Sequence, residues 1–168
     1  MTIIRPVEPA ITHREAQPYV AMKRLVTMET IPEIADRIPE VIGWLAERGV
    51  PLAGAPFLKY NVIDMARELE VEAGVPVERE IGGDGTVCGS VLPAGQYLTV
   101  TNVGHPDELL DVTAGLLSHA ERHGLAWDVT DTDAGQRWGC RLEIYHTNPL
   151  EEPDMNRWEC ELAFRLAD

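Results

Sequence analysis

The chain has 168 residues, 45% of them hydrophobic, and carries 28 acidic against 14 basic side chains for a formal net charge of −14. That length supports a core of its own, while the acidity excludes a surface that grips phosphates with clustered Lys and Arg, so no direct nucleic-acid partner is expected. No apolar run reaches the roughly 18 residues of a membrane span, and the N-terminus MTIIRPVEPAITHRE lacks the charged-then-apolar order of a signal peptide, so the expectation is a cytoplasmic protein without a membrane partner.

Residues 1–10 hold Pro6 and Pro9 and little pattern, and read as an N-terminal extension to a single domain over 11–168. Ile11–Glu15 and Tyr19–Met28 read as strands. A helix follows: Thr30 is placed to cap it, Pro32 to open it and Glu33 to complete a capping box. Ile31, Ile34, Ile38, Val41, Ile42 and Leu45 form its apolar stripe, Pro39 should kink it, and Gly49 should end it. Strands are expected at Pro56–Asn61 and Arg67–Val75. The glycines at 82, 83, 85 and 89 are not followed by Gly-Lys-Ser/Thr, so they mark a turn with a short strand at Thr86–Val91 and not a phosphate loop.

The order then repeats. A strand at Gly95–Gly104 leads into a helix that starts at Pro106, buries Leu109, Val112, Leu116 and Ala120, and ends at Gly124. After a loop at Asp128–Arg137, strands at 138–146 and 157–166 complete the second half. Strand, helix, strand, strand, twice over, predicts an α+β protein of two pseudo-symmetric β-α-β-β halves, about 11–80 and 86–168. Helices should cover one face of an antiparallel sheet and leave a ligand groove on the other.

Strand alternation places Cys160, Leu162, Phe164 and Leu166 opposite Glu159, Glu161, Ala163 and Arg165. In the preceding strand it places Cys140, Leu142, Ile144 and His146 opposite Arg141, Glu143 and Tyr145. Cys140 and Cys160 then read as buried thiols, and with Cys88 they form no CxxC pair, which argues against a disulfide framework. Matching the halves sets Tyr60 against Tyr145 and Glu72 against Glu161. His119 and His123 stand at i and i+4, a spacing that can hold zinc, but no third ligand accompanies them, so neither metal nor cofactor is expected.

The segments FLKYN, VEAGVPV, GSVLPAGQYLTVTNVGHPDELLD, EIYHTNP and RWECEL, in this order, resemble the gyrase-inhibitor-like (GyrI-like) effector-binding domain family. The resemblance spans about Ile11 to Leu166. It implies two similar halves forming a groove for small molecules, with a buried Glu in the last strand that maps onto Glu161 and a Tyr in the strand before it that maps onto Tyr145. A family proline near the end of the last strand is replaced by Arg165. No helix-turn-helix motif flanks the domain, which argues against the regulator version of the family.

On this reading the groove takes a hydrophobic, cationic or electrophilic molecule in toxin resistance or sensing. Glu161 and Glu72 supply charge, and Tyr60, Tyr145, Trp138 and Trp158 supply rings to stack on it. A solvated strand face is the plainer account of the glutamates. One alternative is a hydrolase that opens cyclopropane-bearing genotoxins, with Glu161 as base and Tyr145 as donor. Another is an interaction module acting on a topoisomerase. The sequence leaves a homodimer open.

Overall fold

The structure, a computed structural model, describes residues 8–168, so most of the expected N-terminal extension lies outside the described residues. The first half comprises β1 (Ala10–Arg14), β2 (Gln17–Val26), α1 (Pro32–Ala35), α2 (Ile38–Glu47), β3 (Phe57–Ile63) and β4 (Leu69–Pro76). After β5 (Cys88–Leu92) come β6 (Gly95–Val103), α3 (Leu109–Arg122), β7 (Val129–Thr132), β8 (Gly135–Trp138), β9 (Arg141–Tyr145) and β10 (Glu159–Arg165). The strands form one antiparallel, curled sheet in the order β1-β6-β10-β9-β3-β4-β2-β5, with the β7–β8 hairpin attached through β8 to β3. The α+β class and the repeated halves stand.

The halves join where β3 pairs with β9, Leu58 facing Glu143, flanked by the pairs Phe57–Ile144 and Lys59–Leu142. Since Tyr60 corresponds to Tyr145, Leu58 corresponds to Glu143. The pseudo-two-fold axis therefore passes between Leu58 and Glu143, and it exchanges the two flanking pairs.

Helices pack mainly on the outer strands of each half, with Leu58 of β3 joining the cluster of Ile34. Ile34, Val41 and Leu45 of α1 and α2 pack on Val20, Val71, Ala73 and Val75 of β2 and β4. Leu116 and Ala120 of α3 pack on Leu98, Val100 and Leu162. Each buried Leu, Ile or Val of this kind contributes roughly 1.5–3 kcal/mol. Between the two helical layers, β3 and β9 make few contacts with a helix, and the strip of their helix face along the pseudo-axis, carrying Leu58, Tyr60, Glu143 and Tyr145, is termed the furrow. On the opposite face Tyr19, Phe57, Tyr97, Leu142 and Ala163 are buried without any helix, because the curl of the sheet turns them toward one another.

Several local expectations change. Thr30 does not cap a helix: its hydroxyl accepts the Thr27 backbone N–H at 2.7 Å, and Glu33 instead accepts from Arg24 at 2.8 Å. The expected kinked helix is two helices, parted at Asp36 and Arg37, with Pro39 in the first turn of α2. A proline there needs no N–H partner, whereas in mid-helix its ring would meet the carbonyl four residues back. Gly49 (φ +66°) and Gly124 (φ +65°) close α2 and α3 in the left-handed conformation. The stretch Asp128–Arg137, expected as a loop, is the β7–β8 hairpin, turning at Gly135 (φ +129°) and placing Trp138 on the helix side.

Candidate functional site

Residues directly opposite in an antiparallel pair share a face. Across β9 and β10 the register sets Cys160 against Tyr145, Leu162 against Glu143 and Phe164 against Arg141, with Glu161 against Ile144. Arg141, Glu143 and Tyr145 therefore lie on the helix face, and so does Tyr60, beside Val71. Glu161 and Glu72 lie on the other face. The two tyrosines do come together across the pseudo-axis, but the glutamate between them is Glu143. Tyr145 and Glu161, paired in the sequence reading as donor and base, are separated by the thickness of the sheet.

Glu143 is half-buried at the centre of the furrow floor. The Tyr145 hydroxyl donates to its Oε1 at 2.5 Å, and the Tyr60 hydroxyl acts on the same carboxyl. Burial pushes the Glu143 carboxyl above its usual range, opposed by the Tyr145 hydroxyl, the Arg141 charge and Tyr60. Burial and the Glu143 charge hold both tyrosines well above their usual range, so they remain donors. No Lys, Arg or His lies within ion-pair distance of Glu143 among the described residues. Leu58, Leu162 and Cys160 complete an apolar surround. The arrangement offers a desolvated, underneutralised carboxyl with aromatic flanks.

The glutamates of the opposite face are partnered. Glu72 accepts from the Tyr19 hydroxyl at 2.9 Å and the Asn61 amide at 2.7 Å, with Lys59 Nζ at 3.5 Å. It borders a recess of about 660 Å³ with Lys23, Ser90 and Arg137. Glu161 meets His146 Nε2 at 2.8 Å and Arg14 at 3.6 Å. Those two residues line a second recess of about 390 Å³, floored by Phe57, Tyr97, Leu142 and Ile144.

The tryptophans fall outside the expected stack on a ligand beside Glu161. Trp138 is buried against Trp127 and Phe164 on the helix face. Trp158, half-buried ahead of β10, donates its indole N–H to the Glu152 carbonyl at 2.7 Å. His119 and His123 stack at 4.1 Å, and among the described residues no group of three metal-ligating side chains forms. No helix among them is long and apolar enough to cross a membrane. Cys140 and Cys160 are buried free thiols, and Cys88 is exposed.

Two β-α-β-β halves with an acidic, tyrosine-flanked furrow on their axis define the chain as a two-lobed small-molecule-binding domain. It belongs to the GyrI-like small molecule binding domain family, whose model matches residues 7–167. No curated protein matches its sequence. Among solved structures it is similar to the EcmrR C-terminal domain (17% identity, TM-score 0.74, covering 96% of this chain and 98% of that one). It is also similar to SAV2435 bound to tetraphenylphosphonium (11% identity, TM-score 0.63, 95% and 94% covered). A third likeness is to a hydrolase from Listeria innocua (12% identity, TM-score 0.64, 98% and 94% covered). At these identities the likenesses show the shared fold.

Proposed function

We propose that the chain captures lipophilic cations or electrophiles in the interhelical furrow, in toxin resistance or sensing, with Glu143 as the counter-charge and Tyr60 and Tyr145 as flanking rings and donors. The observation that carries this reading is the half-buried Glu143 carboxyl, hydrogen-bonded by Tyr145 yet with no cation within ion-pair distance among the described residues. A carboxylate in apolar surroundings is costly unless paired, and a bound cation stacked on the tyrosines removes that cost. SAV2435, which has the same fold, is bound to a lipophilic cation of this kind. In this reading the role that the resemblance gave to Glu161 passes to Glu143, the acidic residue that shares a strand face with Tyr145, and the groove expected on the face away from the helices lies instead between them. Glu161 and Glu72, already paired, hold the opposite face together.

Turnover is the second reading, favoured by the burial that raises the Glu143 carboxyl beside two tyrosine donors. A carboxyl whose pKa is raised makes a stronger general base once ionised. In that reading Glu143 takes a proton from a water that adds to a strained cyclopropane carbon. The ring bond breaks toward a conjugated carbonyl, Tyr145 or Tyr60 steadies the resulting negative charge, and the carbon leaving the ring finally receives the proton. Incubation with tetraphenylphosphonium and a panel of cyclopropane-bearing electrophiles, read by native and small-molecule mass spectrometry, separates the readings. Retained cation that is lost in Glu143→Gln supports capture. Catalytic gain of water on an electrophile, lost in the same variant, supports turnover. Retention by Glu143→Gln equal to wild type would overturn the assignment of Glu143.

A further inference from the structure

The furrow holds a second polar feature that a purely cationic ligand does not explain. Arg141, two residues before Glu143 in β9 and on the same face, makes neither an ion pair nor a side-chain hydrogen bond among the described residues. Its guanidinium lies over the rings of Trp138 at 4.7 Å and Phe164 at 4.4 Å. Half-buried there, it keeps its five N–H donors without a protein acceptor. The Trp138 ring beneath it is 5% exposed, and its indole N–H is one of two buried side-chain donors without a partner among the described residues. Buried donors are nearly always satisfied. Here two unsatisfied donor groups, one of them charged, sit in stacking contact on the helix face, at the end of β9 nearest β8.

From this geometry we propose that Arg141 and the Trp138 indole N–H form an acceptor subsite. The furrow's ligands then carry an anionic or carbonyl oxygen at one end as well as an aromatic cationic or electron-poor part that lies on Glu143 and the tyrosines. The inference rests on the furrow being the ligand site, and it narrows the ligand class from lipophilic cations to dipolar or zwitterionic aromatics. Arginine is well suited to such a position, because a planar guanidinium can stack on aromatic faces while its edge donates to an oxygen. Because Arg141 and Glu143 alternate on one strand face, their side chains stand roughly two residue rises, about 7 Å, apart, the scale of one fused aromatic ring system.

The test compares two dyes with the same flat cation, rhodamine 110 with a free carboxylate and rhodamine 123 with that carboxylate methylated, by fluorescence titration of the full chain. Wild type should bind the carboxylate form about tenfold or more tighter, the size expected for a charge-assisted hydrogen bond. Arg141→Gln should abolish that preference while keeping affinity for the ester, and Trp138→Phe, which keeps the ring, should reduce it. Arg141→Lys should retain most of it. Equal affinity for the two dyes in wild type, or a preference that survives Arg141→Gln, would overturn the subsite while leaving the furrow reading intact. Binding of neither dye nor of tetraphenylphosphonium would overturn the furrow reading, and the subsite with it.

Discussion

The two faces of this sheet use carboxylates in opposite ways. On the face away from the helices, Glu72 and Glu161 each reach several donors and a positive group. Their hydrogen bonds fasten neighbouring strands: Glu72 links β4 to β2 and β3, and Glu161 links β10 to His146 beyond β9 and to Arg14 of β1. On the helix face Glu143 has tyrosine hydroxyls and, among the described residues, no cation within ion-pair distance, the Arg141 charge acting from farther off. A fully partnered carboxylate stabilises the fold and asks nothing of a ligand. One that is desolvated and partly partnered costs stability, and that cost can be offset by whatever binds.

Glu72→Ala strands the Tyr19 hydroxyl and the Asn61 amide, and should lower unfolding free energy by about 1–3 kcal/mol in denaturant titrations while leaving tetraphenylphosphonium affinity within a factor of about two. A comparable loss is expected on the same face from Gly74→Ala. An added Cβ would lie 2.5 Å from the Phe57 ring, and that ring is packed edge-on against Tyr19. Overpacking of this kind costs typically about 1–3 kcal/mol.

Changes at the furrow should read out as affinity. Tyr145→Phe removes the hydroxyl that favours the ionised Glu143, so it should weaken capture of the cation about three- to tenfold in a calorimetric titration, with little loss of thermal stability. A cation favours ionised Glu143, so its affinity should rise with pH through the raised midpoint of that group and level off above it.

The smallest effect concerns stability and has the opposite sign from Glu72→Ala. With a folded-state pKa above the usual 4.5, Glu143 favours the fold fully below that value, and the contribution is lost as pH rises through the raised midpoint. Glu143→Gln should therefore melt slightly higher than wild type at neutral pH, with a gap that closes below about pH 4.5. A variant that melts lower at neutral pH would mean that Glu143 is as well satisfied as Glu72.

The repeat of halves, the helices ended by Gly49 and Gly124, and both central strands are legible in the sequence, because they rest on local periodicity and glycine chemistry. The pairing of Tyr60 with Tyr145 is legible too, through the internal match. Glu143 is not, for two reasons. Its counterpart in the first half is Leu58, so matching the halves passes over it. Joining Tyr145 to Glu161 across two strands also needs the register, and a shift of one residue changes which side chains share a face. Alternation within β9 alone already places Glu143 beside Tyr145, and parity inside one strand requires no register. The β7–β8 hairpin is hidden because Asp and Thr weaken its strand pattern, and it is held by pairing with β3.

Whether Glu143, rather than Glu72 or Glu161, faces the ligand can be read from carboxyl-carbon NMR of protein labelled at its glutamate side chains. Glu143 is predicted to titrate above the usual glutamate midpoint in the free protein, and its midpoint to fall when tetraphenylphosphonium is added, while the Glu72 and Glu161 resonances stay in place. A ligand-induced change at Glu161 or Glu72 with Glu143 unmoved would contradict the assignment of Glu143.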